Sequence, residues 1–261
     1  MNILENIVER KKVEVEERKQ RLSVDALQTR VAYTPPCISL RKGLLQNQST
    51  GIIAEFKRRS PSKGLINGSA DPVEVALSYQ LAGASAVSVL TDTHFFGGTD
   101  LDLVRIKEKL SIPVLRKEFI VDPYQVYESK SLGADLVLLI AACLTPSEVE
   151  QLSTLARSIG LEVLLELHDE DELDHVCDTV DFVGINNRSL KTFDVNIERS
   201  LRMAERIPPD KPKVAESGMD DPQQVKLFRE HGYSAFLIGE HFMKAADPGK
   251  ALASFIQSMN S

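Results

Sequence analysis

From Gly51 onward the chain repeats one unit, a short apolar run followed by an amphipathic stretch. The runs Ile52–Phe56, Ala86–Leu90, Pro113–Lys117, Leu136–Ile140, Glu162–Leu167, Phe182–Asn186, Lys213–Ala215 and Ala235–Ile238 read as strands. They are apolar throughout rather than alternating, the pattern of parallel strands covered on both faces. The intervening stretches read as helices with clear ends. Asp71-Pro72, Asp122-Pro123, Thr145-Pro146, Asp221-Pro222 and Asp247-Pro248 each set a capping side chain before a proline at the first helical position. Gly83, Gly133, Gly160 and Gly232 stand where those helices should stop. Eight strands, each followed by a helix, predict an α/β fold of the TIM (β/α)8 barrel type. A doubly wound sheet suits the chain less well, because no Gly-x-Gly-x-x-Gly follows the first strand.

Residues 1–50 are expected to form a helical extension that precedes a barrel of residues 51–261. Asn2 to about Arg21 reads as a charged helix with Ile3, Leu4, Ile7 and Val8 as its single apolar stripe, otherwise solvated. Tyr33-Thr34-Pro35-Pro36 breaks the chain, and a short helix at Leu40 to Gln46 leads to the first strand.

That first strand carries an anomaly. Side chains alternate faces, so Ile53, Glu55 and Lys57 share one side and Ala54 and Phe56 the other. Two charges on a buried face must be paired or used. The following Arg58-Arg59-Ser60-Pro61 reads as a donor-rich turn suited to an anion. In a barrel of this type functional side chains project from the C-terminal strand ends. Glu55, Lys57, Lys117, Glu166, Asn186 and Glu216 all stand there. Burying so many polar groups together destabilises a protein unless they meet a ligand.

Ser217-Gly218 after the seventh strand and Gly239-Glu240 after the eighth occupy the places where barrels bind phosphate. Lysines and carboxylates beside a phosphate anchor imply general acid–base chemistry on a sugar phosphate. Phe119 continues the face of Lys117, where it would stack on a flat substrate or simply pack under a loop. The five histidines are scattered without metal-ligand spacing; His168, two residues after Glu166, reads as a surface or supporting residue, with contact to the mouth as the lesser alternative.

Composition narrows the class. With 261 residues, 43% hydrophobic and 26% charged, the chain is an ordinary globular protein. A net charge of −7 argues against nucleic acid as a partner. Cys37, Cys143 and Cys177 form no metal or disulfide spacing, and Cys143 reads as a small hydrophobe. No apolar run is long enough to span a bilayer and the first residues lack a signal-peptide core, so a cytoplasmic location is expected.

The segment Ile53-Ala54-Glu55-Phe56-Lys57-Arg58-Arg59-Ser60-Pro61-Ser62 resembles the signature of the indole-3-glycerol phosphate synthase family. Leu115 to Phe119, Leu164 to Glu166, Gly184 to Leu190, Ala215 to Gly218 and Leu237 to Glu240 match that family in order. The resemblance covers nearly the whole chain, and it implies that the extension of residues 1–50 packs over the barrel of residues 51–261 in one structural domain. It implies closure of the indole ring of 1-(2-carboxyphenylamino)-1-deoxyribulose 5-phosphate, with loss of carbon dioxide and water and with no cofactor or metal. It also implies Lys117 as general acid, Glu166 as its partner carboxylate, and Lys57 as a substrate-holding group and second proton donor. Glu55, Asn186 and Glu216 would orient the lysines and substrate hydroxyls. Arg188, Ser217, Gly218, Gly239 and Glu240 would surround the phosphate, while Ser60, Pro61, Phe119, Leu138 and Leu190 would bound the rest of the substrate.

Ser189 departs from the acidic residue common in that family, and Glu240 from a serine. The expected partner is a phosphorylated small molecule, with no membrane or nucleic acid, the chain acting as a monomer or weak homodimer. Two rivals remain open: another cofactor-free sugar-phosphate enzyme such as an isomerase, and a non-catalytic phosphate-binding barrel subunit.

Overall fold

The computed structural model describes residues 3–46, 49–189 and 194–259; Leu190 lies outside them. The chain begins with α1 (Ile3–Arg21), α2 (Val24–Ala32) and α3 (Leu40–Leu44). Eight parallel strands then close a barrel: β1 (Ile52–Phe56), β2 (Ala86–Leu90), β3 (Val114–Lys117), β4 (Leu136–Ile140), β5 (Glu162–Leu167), β6 (Phe182–Asn186), β7 (Lys213–Glu216) and β8 (Tyr233–Ile238). Each pairs with its neighbours in chain order, and β1 meets β8 to complete the ring.

Period-two alternation sorts the apolar residues into two layers. Ile53, Leu115, Leu138, Leu164, Val214 and Leu237 fill the barrel interior. Their neighbours Ala54, Phe56, Val87, Val114, Val137, Leu165, Val183 and Phe236 join the outer layer beneath the helices. The surrounding elements are α4 (Pro72–Ala82), α5 (Thr93–Phe96), α6 (Asp100–Lys107), α7 (Pro123–Ser131), α8 (Pro146–Ser158), α9 (Ile197–Ala204), α10 (Pro222–Glu230), α11 (Glu240–Met243) and α12 (Pro248–Met259). Asp71, Asp122, Thr145 and Asp221 accept from the first-turn N–H groups as N-caps. Among the described residues no helix is long and apolar enough to cross a membrane.

The N-terminal segment departs from its simple reading in two ways. First, α1 is not merely solvated, because Ile7, Lys11 and Val15 are buried. Second, α2 forms where no helix was expected. Ser23 caps it by accepting from Ala26 N, and Leu27 packs with Val15 and with Tyr124 of α7. Its own sequence is short and only weakly amphipathic, so tertiary burial makes it a helix.

The three helices engage opposite ends of the barrel. At the N-terminal end Glu162, the first residue of β5, accepts from Leu40 N at 2.8 Å and from the Ser39 hydroxyl. Leu40 and Leu44 thereby close the bottom of the interior cluster, while Ile3, Leu4 and Ile7 close its top.

One strand lacks the helix the repeat predicts. After β5 the segment Glu170–His175 forms a 3-10 turn. It carries Glu170, Asp171, Glu172 and Asp174 in one short run, and like charges at helical spacing disfavour an α-helix.

Candidate active site

The inner layer that is apolar at mid-barrel becomes polar one step toward the C-terminal strand ends. Glu55 follows Ile53, Lys117 follows Leu115, Glu166 follows Leu164, Asn186 follows Gly184 and Glu216 follows Val214 on the inward face. Glu55, Glu166 and Glu216 are only 4%, 3% and 1% exposed. At that depth each carboxylate needs partners.

Lys117 supplies two of them. Its Nζ donates to Glu166 Oε2 at 2.7 Å and to Glu216 Oε2 at 3.0 Å. Burial alone would lower the lysine's pKa, but the charges of Glu166, Glu216 and Glu55 outweigh it and hold the ammonium above its ordinary value. The two carboxyls diverge. Burial opposes ionisation of both, yet Lys117 and His168 hold Glu166 well below its ordinary value. Burial and the Glu166 charge push Glu216 up to about 8.

Asn186 locks the group: its Nδ2 donates to Glu166 Oε1 at 2.9 Å, and its Oδ1 accepts from Arg188 N at 3.0 Å. A side chain at position 184 would collide here, since a Cβ on Gly184 would lie 2.3 Å from Glu216 Oε1. On the opposite wall Lys57 Nζ meets Glu55 Oε1 at 2.7 Å. Glu55 in turn lies against Gly239, where a Cβ would stand 2.6 Å from Oε1.

Glu55, Lys57, Ser60, Pro61, Lys117, Phe119, Leu138, Glu166, Asn186, Arg188, Glu216, Ser217, Gly218, Gly239 and Glu240 all line one pocket. The last three and Ser217 sit together at the β7 and β8 ends. Ser217 holds φ +64°, a left-handed backbone that a non-glycine residue adopts only when its surroundings impose it. Asn187 Nδ2 contributes by donating to Ser217 O at 2.8 Å.

Other lining residues were missed. Ile3, Leu4 and Ile7 of α1 form an apolar wall, beside Phe96, whose ring centroid is 5.9 Å from that of Phe119. Behind this wall Lys11 Nζ meets Glu14, Asp92 and Glu118 at 2.7, 3.0 and 3.1 Å. Asp92 also caps α5, accepting from Phe95 N at 2.7 Å and Phe96 N at 3.3 Å. Glu118 holds Phe119 N at 2.9 Å. The signal was available: Ile3, Ile7, Lys11 and Val15 recur every fourth residue, which places a lysine within an apolar stripe.

Expectations about Arg58, Arg59 and His168 need correction or refinement. Arg58 does not face the pocket: its guanidinium lies over the Phe56 ring at 4.9 Å and grips Asp102 with both Nη atoms, at 2.5 and 3.0 Å. Position 58 falls on the outward parity of β1, so the side chain fastens the loop to α6 instead. Arg59 is exposed outside the pocket. His168, read as a surface or supporting residue, is buried with Nε2 3.0 Å from Glu166 Oε1. Cys143 packs as a small hydrophobe, and burial with the Glu166 and Glu172 charges pushes its thiol up to about 12.

The arrangement offers a charged ammonium beside an ionised carboxylate, a second ammonium opposite, an apolar slot and a glycine-rich rim. Comparison with known proteins shows the family. Residues 4–255 match the family described as indole-3-glycerol phosphate synthase. The chain is 46% identical over 258 residues to a Bacteroides thetaiotaomicron protein named indole-3-glycerol phosphate synthase, covering 99% of each. Among solved structures it is similar in fold to a tryptophan synthase alpha subunit from Legionella pneumophila, with a TM-score of 0.62, 12% identity, and 84% of this chain and 96% of that one covered. A structure titled "Native KDPGal structure" superposes with a TM-score of 0.57 and 14% identity, over 80% of this chain and 92% of that one.

Proposed function

The chain belongs to the indole-3-glycerol phosphate synthase family, and from that premise we propose how its barrel mouth performs the reaction. The enzyme is a carboxy-lyase that converts 1-(2-carboxyphenylamino)-1-deoxyribulose 5-phosphate to indole-3-glycerol phosphate, releasing carbon dioxide and water. Ring closure requires an aromatic carbon to attack a ketone, and that ketone becomes reactive when its oxygen receives a proton.

In our reading Lys117 is this acid. The single observation that carries the assignment is the 2.7 Å contact between its ammonium and Glu166 at the base of the pocket. Loss of carbon dioxide restores the benzene ring, and Glu166, ionised, accepts the proton that leaves the substrate as water departs and the new ring becomes aromatic. Lys57 pairs with the substrate carboxylate before its loss and donates the proton that lets water depart; its 2.7 Å contact with Glu55 directs it inward. Asn186 and Glu216 orient this set. The apolar walls, including Phe119, Leu138, Pro61 and the start of α1, take the aromatic ring and exclude water, which strengthens every charge contact inside. Arg188, Ser217, Gly218, Gly239 and Glu240 form the phosphate end, with Ser60 at the rim between.

The same reading treats residues 1–50 and 51–261 as one structural domain, acting in the cytoplasm as a monomer or weak homodimer. Incubation of the purified chain with the carboxyphenylamino-deoxyribulose phosphate tests the activity through the fluorescence of the indole product. Absence of turnover by well-folded protein would overturn it.

A further inference from the structure

Lys117 stands between two carboxylates that its position barely distinguishes, Glu166 at 2.7 Å and Glu216 at 3.0 Å. A base must be ionised, and two carboxylates crowded around one ammonium do not both ionise readily. Something other than the lysine therefore selects which carboxyl holds a proton. The two groups differ at their far oxygens. Glu166 Oε1 receives Asn186 Nδ2 at 2.9 Å and has His168 Nε2 at 3.0 Å. Glu216 Oε1 is buried without any hydrogen-bond partner.

We propose that His168 is a positioning residue which, with Asn186, keeps negative charge on Glu166 and leaves the proton on Glu216, and so determines which carboxylate serves as base. The inference rests on Glu166 being the base under the proposed function. His168 is only 6% exposed, is absent from the pocket lining, and touches the reacting groups only through Glu166.

Its ring does not serve the fold through another bond. Neither ring nitrogen has a hydrogen-bond partner; Nε2 stands 3.0 Å from Glu166 Oε1 and Nδ1 3.9 Å from Glu172 Oε2, while the residue is anchored by its backbone N–H, which donates to Glu172 at 2.6 Å. Strand alternation explains how it reaches Glu166, because residues two apart at the end of β5 share a face. The imidazole edge stands 3.0 Å from Glu166 Oε1 without a hydrogen bond, and a polar ring edge that close favours the ionised carboxylate through its field, strongly so in a dry site.

The remaining charged and titratable groups around Glu166 do not supply the asymmetry. Lys117 of β3 is shared by both carboxyls. The Cys143 thiol after β4 is held in its protonated form, and Glu172 lies on the far side of the imidazole. Glu55 of β1 is satisfied by Lys57. The pKa values of the pair separate in the direction this predicts, Glu166 down and Glu216 up.

Two measurements test the assignment. In infrared spectra of the wild-type enzyme near neutral pH, with the two carboxyls distinguished by site-specific 13C labelling, the protonated-carboxyl band should belong to Glu216. A band that belongs to Glu166 overturns the proposal without reference to any His168 variant. In kinetics, His168→Ala should move the acidic limb of kcat upward by about one pH unit and lower kcat about tenfold near the limb, with KM within about twofold. His168→Gln, which retains an N–H donor, should restore most of the difference. An unmoved limb in folded His168→Ala, or a changed KM with unchanged kcat, overturns the proposal. Full turnover by Glu166→Gln would instead remove the base assignment itself, and the inference with it.

Discussion

Lys11 Nζ lies 3.0 Å from the carboxylate of Asp92, and both side chains are almost fully buried, at 2% and 1% exposure. This contact ties α1 to the loop after β2, and the same ammonium reaches Glu118 at the end of β3. Asp92 caps the helix that carries Phe96, and Glu118 holds Phe119 N. The extension and two aromatic walls of the pocket are thus joined through one charge.

Lys11→Met should be costly for that reason. It leaves Asp92 and Glu118 buried without their cation, a loss of about 3–5 kcal/mol for such an unpaired site. Denaturant unfolding measures the stability, and KM should rise as Ile3, Leu4 and Ile7 loosen from the pocket. Wild-type stability in this variant would contradict the role of Lys11.

Lys117→Ala should keep the fold and lose the reaction. Removing a positioned proton donor costs about 10²–10⁴-fold in kcat. Turnover assays with circular dichroism on the same preparation separate loss of chemistry from loss of structure. Ordinary activity would refute its role as acid.

Gly239→Ala should disturb the Glu55–Lys57 pair from behind. The added Cβ would stand 2.6 Å from Glu55 Oε1 and 2.8 Å from its Cβ. Overpacking of this kind costs about 1–3 kcal/mol, and kcat/KM should fall as Lys57 shifts. Gly43→Ala is the matched control. That position lies in α3 with nothing within 4 Å of a new Cβ, so helix propensity should give a gain of up to about 1 kcal/mol. Thermal unfolding of the two variants should move in opposite directions.

Stability should also depend on pH through Glu216. Its pKa is 4.5 ordinarily and about 8 in the folded protein, so over that interval the folded state keeps a proton that the unfolded chain releases. The stabilising contribution is therefore complete below pH 4.5 and is lost as pH rises through about 8. Glu166 has the opposite sign: its contribution is present above its ordinary value and is lost only in acid. Urea midpoints compared at about pH 5 and about pH 8 should fall for the wild type and fall less for Glu216→Gln. Equal slopes in the two proteins would count against a proton held on Glu216.

Much of this was legible before the fold was known. Strand boundaries followed from apolar runs, helix starts from Asp-Pro and Thr-Pro pairs, and the polar ring from residues at the strand ends. Gly83, Gly133, Gly160 and Gly232 all take the left-handed backbone expected after helix ends. The 3-10 turn after β5 was less legible, because the repeat of the other units suggested a helix where the local charges resist one. Arg58 misled for a related reason. A basic residue beside a polar strand end invites a ligand, yet its parity turned it to Asp102.

The sequence by itself determined the barrel, the inward layer of Glu55, Lys117, Glu166, Asn186 and Glu216, and the family. These depend on periodicities of two and 3.6 residues and on local capping, which neighbouring residues carry along the chain. Only the tertiary structure decided that Lys11 serves the pocket, that His168 faces Glu166, and that two carboxylates share Lys117 with unequal pKa values. Those outcomes depend on distances between residues far apart in the chain, set when β1 closes on β8 and α1 folds over the mouth. Electrostatic energies sum over neighbours in space, and no pattern along the chain specifies that sum.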